Sequence, residues 1–224
     1  MAATAKGHRR PAELPGWVTK KPDPAIEREK VLSPSALGGA KALPSEGGLD
    51  EETAKRRGTF LHRLLEHLPL WPEADWSEVS IALLSEAEGT VSSAEMAAIM
   101  DEARNVLSAP AIRDLLVPEA LSEVELTARV AALGDRLLHG TIDRLLVSHD
   151  RVLAVDYKSN AMVPTRQEDV PEGILRQMGA YDAMLAAIYP DRRIVTAILW
   201  TRTGDLMPLS TEIVRAALAG TTIP

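Results

Sequence analysis

Asp143, Asp156 and Lys158 in "GTIDRLLVSHDRVLAVDYKS" (140–159) have the types and spacing that metal-assisted hydrolysis requires. The alternation around them predicts two strands, "RLLHGTIDRLLV" and "RVLAVDYKS", joined by "SHDR" at 148–151. If Val147 pairs with Val152, antiparallel partners have numbers that sum to 299, and Asp143 falls opposite Asp156. Like charges facing across a sheet destabilise it, and an uncompensated buried carboxylate is costly, so the two need a shared proton or a cation between them. Side chains alternate along a strand, which puts Asp156 and Lys158 on one face and Tyr157 on the other. Hard oxygen ligands of this kind suit Mg²⁺ or Mn²⁺. Such an ion activates water and stabilises charge on a phosphate, and a neighbouring ammonium positions or deprotonates that water. Taken alone, Asp156 and Lys158 are more often a structural or solvated ion pair, and Asp143 alone could pair with Arg144. The opposition of the two aspartates favours a site.

The elements that position these residues follow from periodicity. Residues 51–68, "EETAKRRGTFLHRLLEHL", form an amphipathic helix with Phe60, Leu61, Leu64, Leu65 and Leu68 on one face. His62 lies just beyond the edge of that stripe, where it can enter a cleft or simply be a half-exposed surface histidine. His67, on the opposite edge, reads as structural. Further helices are predicted near 77–88 and 93–108, the second opened by a capping box from Ser92 to Glu95, with one more turn at 111–116 after Pro110. After residue 120 the period becomes that of strands, starting with "SEVELTARVA". A helix over 172–189 follows, with Ile174, Leu175, Met178, Tyr181, Leu185 and Ile188 as its apolar side, and the chain closes on a hairpin around "RTGD". Gln177 and Tyr181 are four apart and therefore neighbours on that helix, as site residues or as ordinary packing. Helices, three strands, a helix and two strands make an α/β fold with mixed strand directions.

Composition bounds the remainder. The 224 residues contain no cysteine, which excludes disulfides, thiolate zinc sites and an iron–sulfur cluster, and fits a cytoplasmic setting. No apolar run is long enough to span a membrane, and residues 1–20 lack the apolar stretch of a secretory signal. No G-x-x-x-x-G-K-[ST] loop occurs, so no ATP site of that kind is expected. Residues 70–125 hold twelve Asp/Glu and two Arg, so the rest of the chain carries a net +3 although the total is −7. A basic groove for a nucleic acid is compatible with that balance. Lys55, Arg56, Arg57 and Arg63 could reach phosphates. Residues 1–50 read as an arm or linker rich in proline and basic residues, with a short helix after Ser33 and Pro34. Residues 51–118 read as a helical region and 119–224 as the core, with 51–224 together as one domain.

In this order the motifs resemble those of the RecB-like nucleases of the PD-(D/E)xK superfamily. "GTIDRLLV" followed by "VLAVDYKS" resembles their G-x-x-D…D-Y-K core, "RRGTFLHRLLEHL" their upstream histidine helix, and "QMGAY" at 177–181 their Q-x-x-x-Y motif. The lead-in "LPGW…LSPSAL" and the ending "AILWTRTGDLMPL" look like the C-terminal nuclease domain of AddA-type subunits of helicase–nucleases. The resemblance implies a restriction-endonuclease-like core, a central mixed sheet flanked by helices, with an added N-terminal helical region. It implies an exonuclease that hydrolyses DNA in double-strand break repair and recombination, together with a helicase motor and a partner nuclease subunit. His62, Asp143 and Asp156 would bind Mg²⁺ or Mn²⁺ with the Tyr157 carbonyl, and Lys158 would be the catalytic lysine. Gln177 and Tyr181 would support the site and the DNA strand. A carboxylate on the first strand sometimes joins such sites, and Glu125 is the candidate. The competing reading is a catalytically silent nucleic-acid-binding or subunit-docking module of such a complex. Retention of Asp143, Asp156 and Lys158 together argues against it.

Overall fold

The computed structural model describes residues 16, 20–21, 29–42, 51–85 and 92–222, so most of the 1–50 region and the end of the 77–88 helix lie outside the described residues. Three helices come first: α1 (Glu51–His67), α2 (Trp76–Ser85) and α3 (Ser93–Ser108). Ser92 caps α3 by accepting from Glu95 N at 3.1 Å. The Glu95 side chain does not complete a reciprocal box; it pairs instead with Arg56 at 3.3 Å.

The sheet strands are β1 (Ala120–Val130), β2 (Arg136–Val147), β3 (Arg151–Lys158), β4 (Arg193–Trp200) and β5 (Asp205–Leu209), arranged in sequence order. Only β3 and β4 run parallel, and α4 (Glu172–Ile188) is the crossover between them. The expected closing hairpin is present as β4 and β5, and a final helix not expected from sequence, α5 (Thr211–Ala219), follows it; Ser210 caps this helix, and its buried Val214 and Leu218 pack against α4. Helices therefore cover both faces of a mixed sheet. On one face Ala154, Ile198 and Trp200 join the buried side of α4 and α5. On the other, Val155, Tyr157, Ala197 and Leu199 meet Phe60, Leu61, Leu64 and Leu65 of α1 and Ile99, Ala103 and Val106 of α3. Ile188, expected on the apolar side of α4, is exposed at its end.

The ribbon of β1 and β2 has a break that matters for the site. Leu138, Ile142 and Leu145 all belong to the α4 side, although 142 and 145 differ by an odd number. Alternation therefore slips by one between them. The slip coincides with Glu123, which sits between the pairs Ser122↔Arg144 and Val124↔Ile142 with a left-handed φ of 49°. A non-glycine residue held there is strained and re-aims its neighbours, as a bulge does.

Residues 29–42 form a strap across the sheet end, so this part of the expected arm is docked. Leu32 bridges Leu138 in parallel, donating to Leu137 O at 3.0 Å and accepting from His139 N at 2.9 Å. It occupies the edge of β2 that β3 does not reach, since the β2–β3 ladder covers only 144–147 of β2. The short helix expected after Ser33 is a single turn, Pro34–Ala36. Pro34 rests on Gly140, where a Cβ would come within 2.8 Å of the ring. Gly140 therefore serves close approach, as a glycine inside a strand often does.

Candidate active site

The expected hairpin register holds over four pairs, from Val147↔Val152 to Arg144↔Val155. The ladder ends there. Instead of simply stacking on Asp156, Asp143 turns its Oδ2 to the backbone N–H of Tyr157 at 2.5 Å. Arg144 takes the opposite face, donating to Leu115 O at 2.9 Å and to the Ser122 hydroxyl, so it is no partner for Asp143. β3 alternates as expected: Asp156 and Lys158 face α4, while the Tyr157 ring is buried among the α1 and α3 side chains.

α1 brings His62 to the same point. Its Nδ1 lies 3.4 Å from Asp143 Oδ1, its Nε2 lies 3.2 Å from the Tyr157 carbonyl, and its ring meets the Tyr157 ring edge-on at 5.5 Å. Burial alone would lower the histidine pKa. The hydrogen bond to Asp143 and the charges of Asp143 and Asp156 outweigh it and leave the pKa raised.

α4 supplies the support. Gln177 donates from Nε2 to Asp156 Oδ1 at 2.9 Å and to the Tyr181 hydroxyl at 3.2 Å, and its Oε1 accepts from Lys158 Nζ at 3.2 Å. Tyr181 in turn donates to Thr141 O at 2.6 Å, tying α4 to β2. One amide therefore holds the carboxylate, the ammonium and the phenol in register. Asp156 is 2% exposed. Desolvation raises its pKa, the Lys158 charge opposes that, and Asp143 adds to it. Its Oδ2 faces the Lys158 ammonium as an ion pair but accepts no well-directed hydrogen bond.

The first-strand carboxylate that reaches the site is Glu123, not Glu125. A ligand atom from each of His62, Glu123 and Asp143 lies within 4.8 Å of the others. Both glutamates are exposed, but Glu123 lines the larger cleft, whereas Glu125 lies opposite Thr141 and lines neither. Partial desolvation at the cleft wall and the Asp143 charge raise the Glu123 pKa. The His62 imidazole and the Glu123 and Asp143 carboxylates, with Asp156 and the Tyr157 carbonyl beside them, make a donor set that fits a divalent cation.

Two clefts meet at this point and share His62 and Lys158. The larger, about 630 Å³, runs along α1 past Lys55, Thr59 and Arg63. The smaller, about 370 Å³, lies between the strap, β2 and α4 and contains Asp143, Asp156 and Gln177. Arg56 and Arg57 turn away from both to pair with Glu95 and Glu102, so of the four basic residues on α1 only Lys55 and Arg63 line a cleft. Glu102 is itself buried and accepts from Thr201 Oγ1 at 2.6 Å. Thr201 N donates to Lys158 O at 3.0 Å, which links α1 and α3 to the end of β3. Acidic composition concealed this inward-facing carboxylate.

Two aspartates, a lysine and a histidine are thus gathered at one end of a hairpin, in a mixed sheet between helices. The chain belongs to the PD-(D/E)XK nuclease superfamily, whose family model matches residues 36–217. Members of that superfamily hydrolyse phosphodiester bonds and use divalent metal ions. The chain is 28% identical over 151 residues, 61% of its length, to AddA of the ATP-dependent helicase/nuclease of Desulforamulus reducens. The match spans 12% of that relative's length. Among solved structures, SSO0001 aligns over 86% of this chain and 75% of its own at 13% identity, with a TM-score of 0.34. No helix among the described residues is long and apolar enough to cross a membrane.

Proposed function

We propose that the protein is a Mg²⁺- or Mn²⁺-dependent deoxyribonuclease that degrades DNA from an end, as the nuclease part of a helicase–nuclease acting in break repair and recombination. The motor and the partner subunit belong to this proposal; what supports them is the relative's name, which is that of a helicase/nuclease component. The observation that carries the enzymatic reading is the convergence of His62, Asp143, Asp156 and the Tyr157 carbonyl beside Lys158.

His62, Asp143, Asp156 and the Tyr157 carbonyl would hold the ion, with Glu123 within reach of the same point. When bound, the ion supplies charge neutralisation at the scissile phosphate and acidifies water. Lys158 lines both clefts and is held by Asp156 and Gln177, so its ammonium is fixed where it can orient an attacking water and screen the phosphate. Attack forms a new P–O bond as the bond to the leaving oxygen breaks. Asp143 also restrains the Tyr157 backbone, which keeps the carbonyl of that residue beside His62.

The test is degradation of linear single- and double-stranded DNA with Mg²⁺, Mn²⁺ or EDTA, comparing the wild type with Lys158→Ala. Metal-dependent degradation that Lys158→Ala lowers by at least a hundredfold is expected, a loss of about 2.7 kcal/mol of transition-state stabilisation. Binding without cleavage by the wild type would instead favour the silent module, and full activity of Lys158→Ala would remove the lysine from the mechanism.

A further inference from the structure

The smaller cleft holds polar side chains that neither the fold nor the site described above employs. Ser33 stands at the N-cap position of the turn Pro34–Ala36 in an extended conformation, yet its side chain makes no capping bond. Its hydroxyl and that of Ser35 pair with each other at 3.0 Å, their only side-chain hydrogen bond among the described residues. Across from them His139 is held through Nδ1 by the Thr127 hydroxyl at 2.9 Å. All three residues line the cleft that contains Asp143, Asp156 and Lys158.

The strap that carries the serines is held by other means. Leu32 is bonded into the edge of β2, Gly173 N donates to Ala40 O at 2.7 Å, and Asn160 Nδ2 donates to Lys41 O at 3.0 Å. Gly39, with a φ of +87°, lies so close to Gly173 that a Cβ on Gly39 would meet its nitrogen at 2.8 Å. Main-chain contacts thus fix the strap, and the hydroxyls are spare. Two hydroxyls and an imidazole are donors suited to phosphate oxygens, and they stand beside the candidate hydrolytic centre. A volume of about 370 Å³ is that of a site for one drug-sized molecule, close to the size of a nucleotide.

We propose that Ser33, Ser35 and His139 form a phosphate subsite that holds the phosphate adjacent to the scissile one on a single DNA strand. The strand then runs along α1 in the larger cleft, passes Lys158 and His62, and enters the smaller cleft beneath the strap. The assignment rests on the nuclease reading for the meaning of the neighbouring centre, but its test has a readout that does not require cleavage.

That test uses the full chain with Lys158→Ala as background and a fluorescent single-stranded oligonucleotide carrying one neutral methylphosphonate at successive positions. Hydrogen bonds to a charged group are each worth about tenfold in affinity or more. Adding Ser33→Ala and Ser35→Ala should weaken binding by about tenfold or more. Neutralising one particular phosphate should weaken the parent by a similar factor and the alanine variant hardly at all. Ser35→Thr, which keeps a hydroxyl, should retain most of the binding, and circular dichroism should be unchanged throughout. Equal affinity of the alanine variant and its parent, or undiminished sensitivity to the same methylphosphonate, would overturn the subsite. Cleavage by otherwise native protein is read in parallel. No cleavage with the expected binding pattern removes the nuclease reading and keeps the subsite. Normal cleavage with an unchanged KM in the serine variant removes the subsite and keeps the nuclease.

Discussion

Gln177→Leu isolates the contribution of the support helix. The substitution roughly preserves volume but removes the donor to Asp156 Oδ1 and the acceptor for Lys158. Tyr181 keeps its bond to Thr141 O, so the tie between α4 and β2 survives. Asp156 is buried and its other oxygen already lacks a well-directed hydrogen bond, so the carboxylate loses its good hydrogen bond inside the protein. Leaving a buried polar group unsatisfied costs about 1–3 kcal/mol, with charged groups toward the upper end. A loss of about 2–3 kcal/mol corresponds to a fall in melting temperature of roughly 4–12 °C at this chain length. The released Lys158 and Asp156 lose their common reference. Misplacement of reacting groups by about 1 Å costs on the order of a hundredfold in rate. Metal-dependent cleavage should therefore show kcat lowered about a hundredfold with KM little changed, while thermal unfolding reads the stability loss. Gln177→Glu gives the internal control. Its carboxyl can accept from Lys158 but can donate to Asp156 only while it holds a proton. Partial activity that falls as pH rises is expected, because deprotonation sets two carboxylates together. Gln177→Leu with wild-type kcat would refute the positioning role whatever happened to the melting temperature.

Two further substitutions test other parts of the arrangement. Glu123→Gln should weaken Mn²⁺ binding severalfold by calorimetric titration, and Glu125→Gln should leave it unchanged, because only Glu123 comes within ligand distance of His62 and Asp143; the reverse order would return the role to Glu125. Glu102→Ala strips the partner from Arg57 and the acceptor from Thr201, and breaking a buried ion pair costs about 3–5 kcal/mol. Arg57 keeps 15% side-chain exposure, so about 2–3 kcal/mol is expected by denaturant unfolding, and a change below about 0.5 kcal/mol would show that the link from α1 and α3 to the end of β3 is idle.

What could be read from the sequence divides along a physical line. Features set by one periodicity were legible. The face shared by Asp156 and Lys158, the inward Tyr157, the register from Val147↔Val152 and the apolar stripe beside His62 all follow from local alternation or helical spacing. The helix on either side of the sheet follows from the order of elements, and the core motifs already pointed to the superfamily that the family model confirms. Features set by contact between distant segments were not legible. Gln177 is named for the site only through the resemblance, and no local pattern shows that it reaches Asp156 across 21 positions or that Glu102 reaches Thr201 across 99. Nothing in either local pattern shows whether a polar side chain finds a partner inside or faces water. Glu123 is the instructive case between the two. Counting by twos along β1 makes 123 and 125 equivalent, so alternation cannot separate them. They differ because Glu123 takes a left-handed backbone where side-chain facing changes although the pairing register does not, opposite the aspartate that turns to bond the Tyr157 N–H. A straight pairing of Asp143 with Asp156 would have supplied two carboxylates. The slip in facing brings a third, Glu123, to the side of Asp143 and His62, which regular alternation could not do.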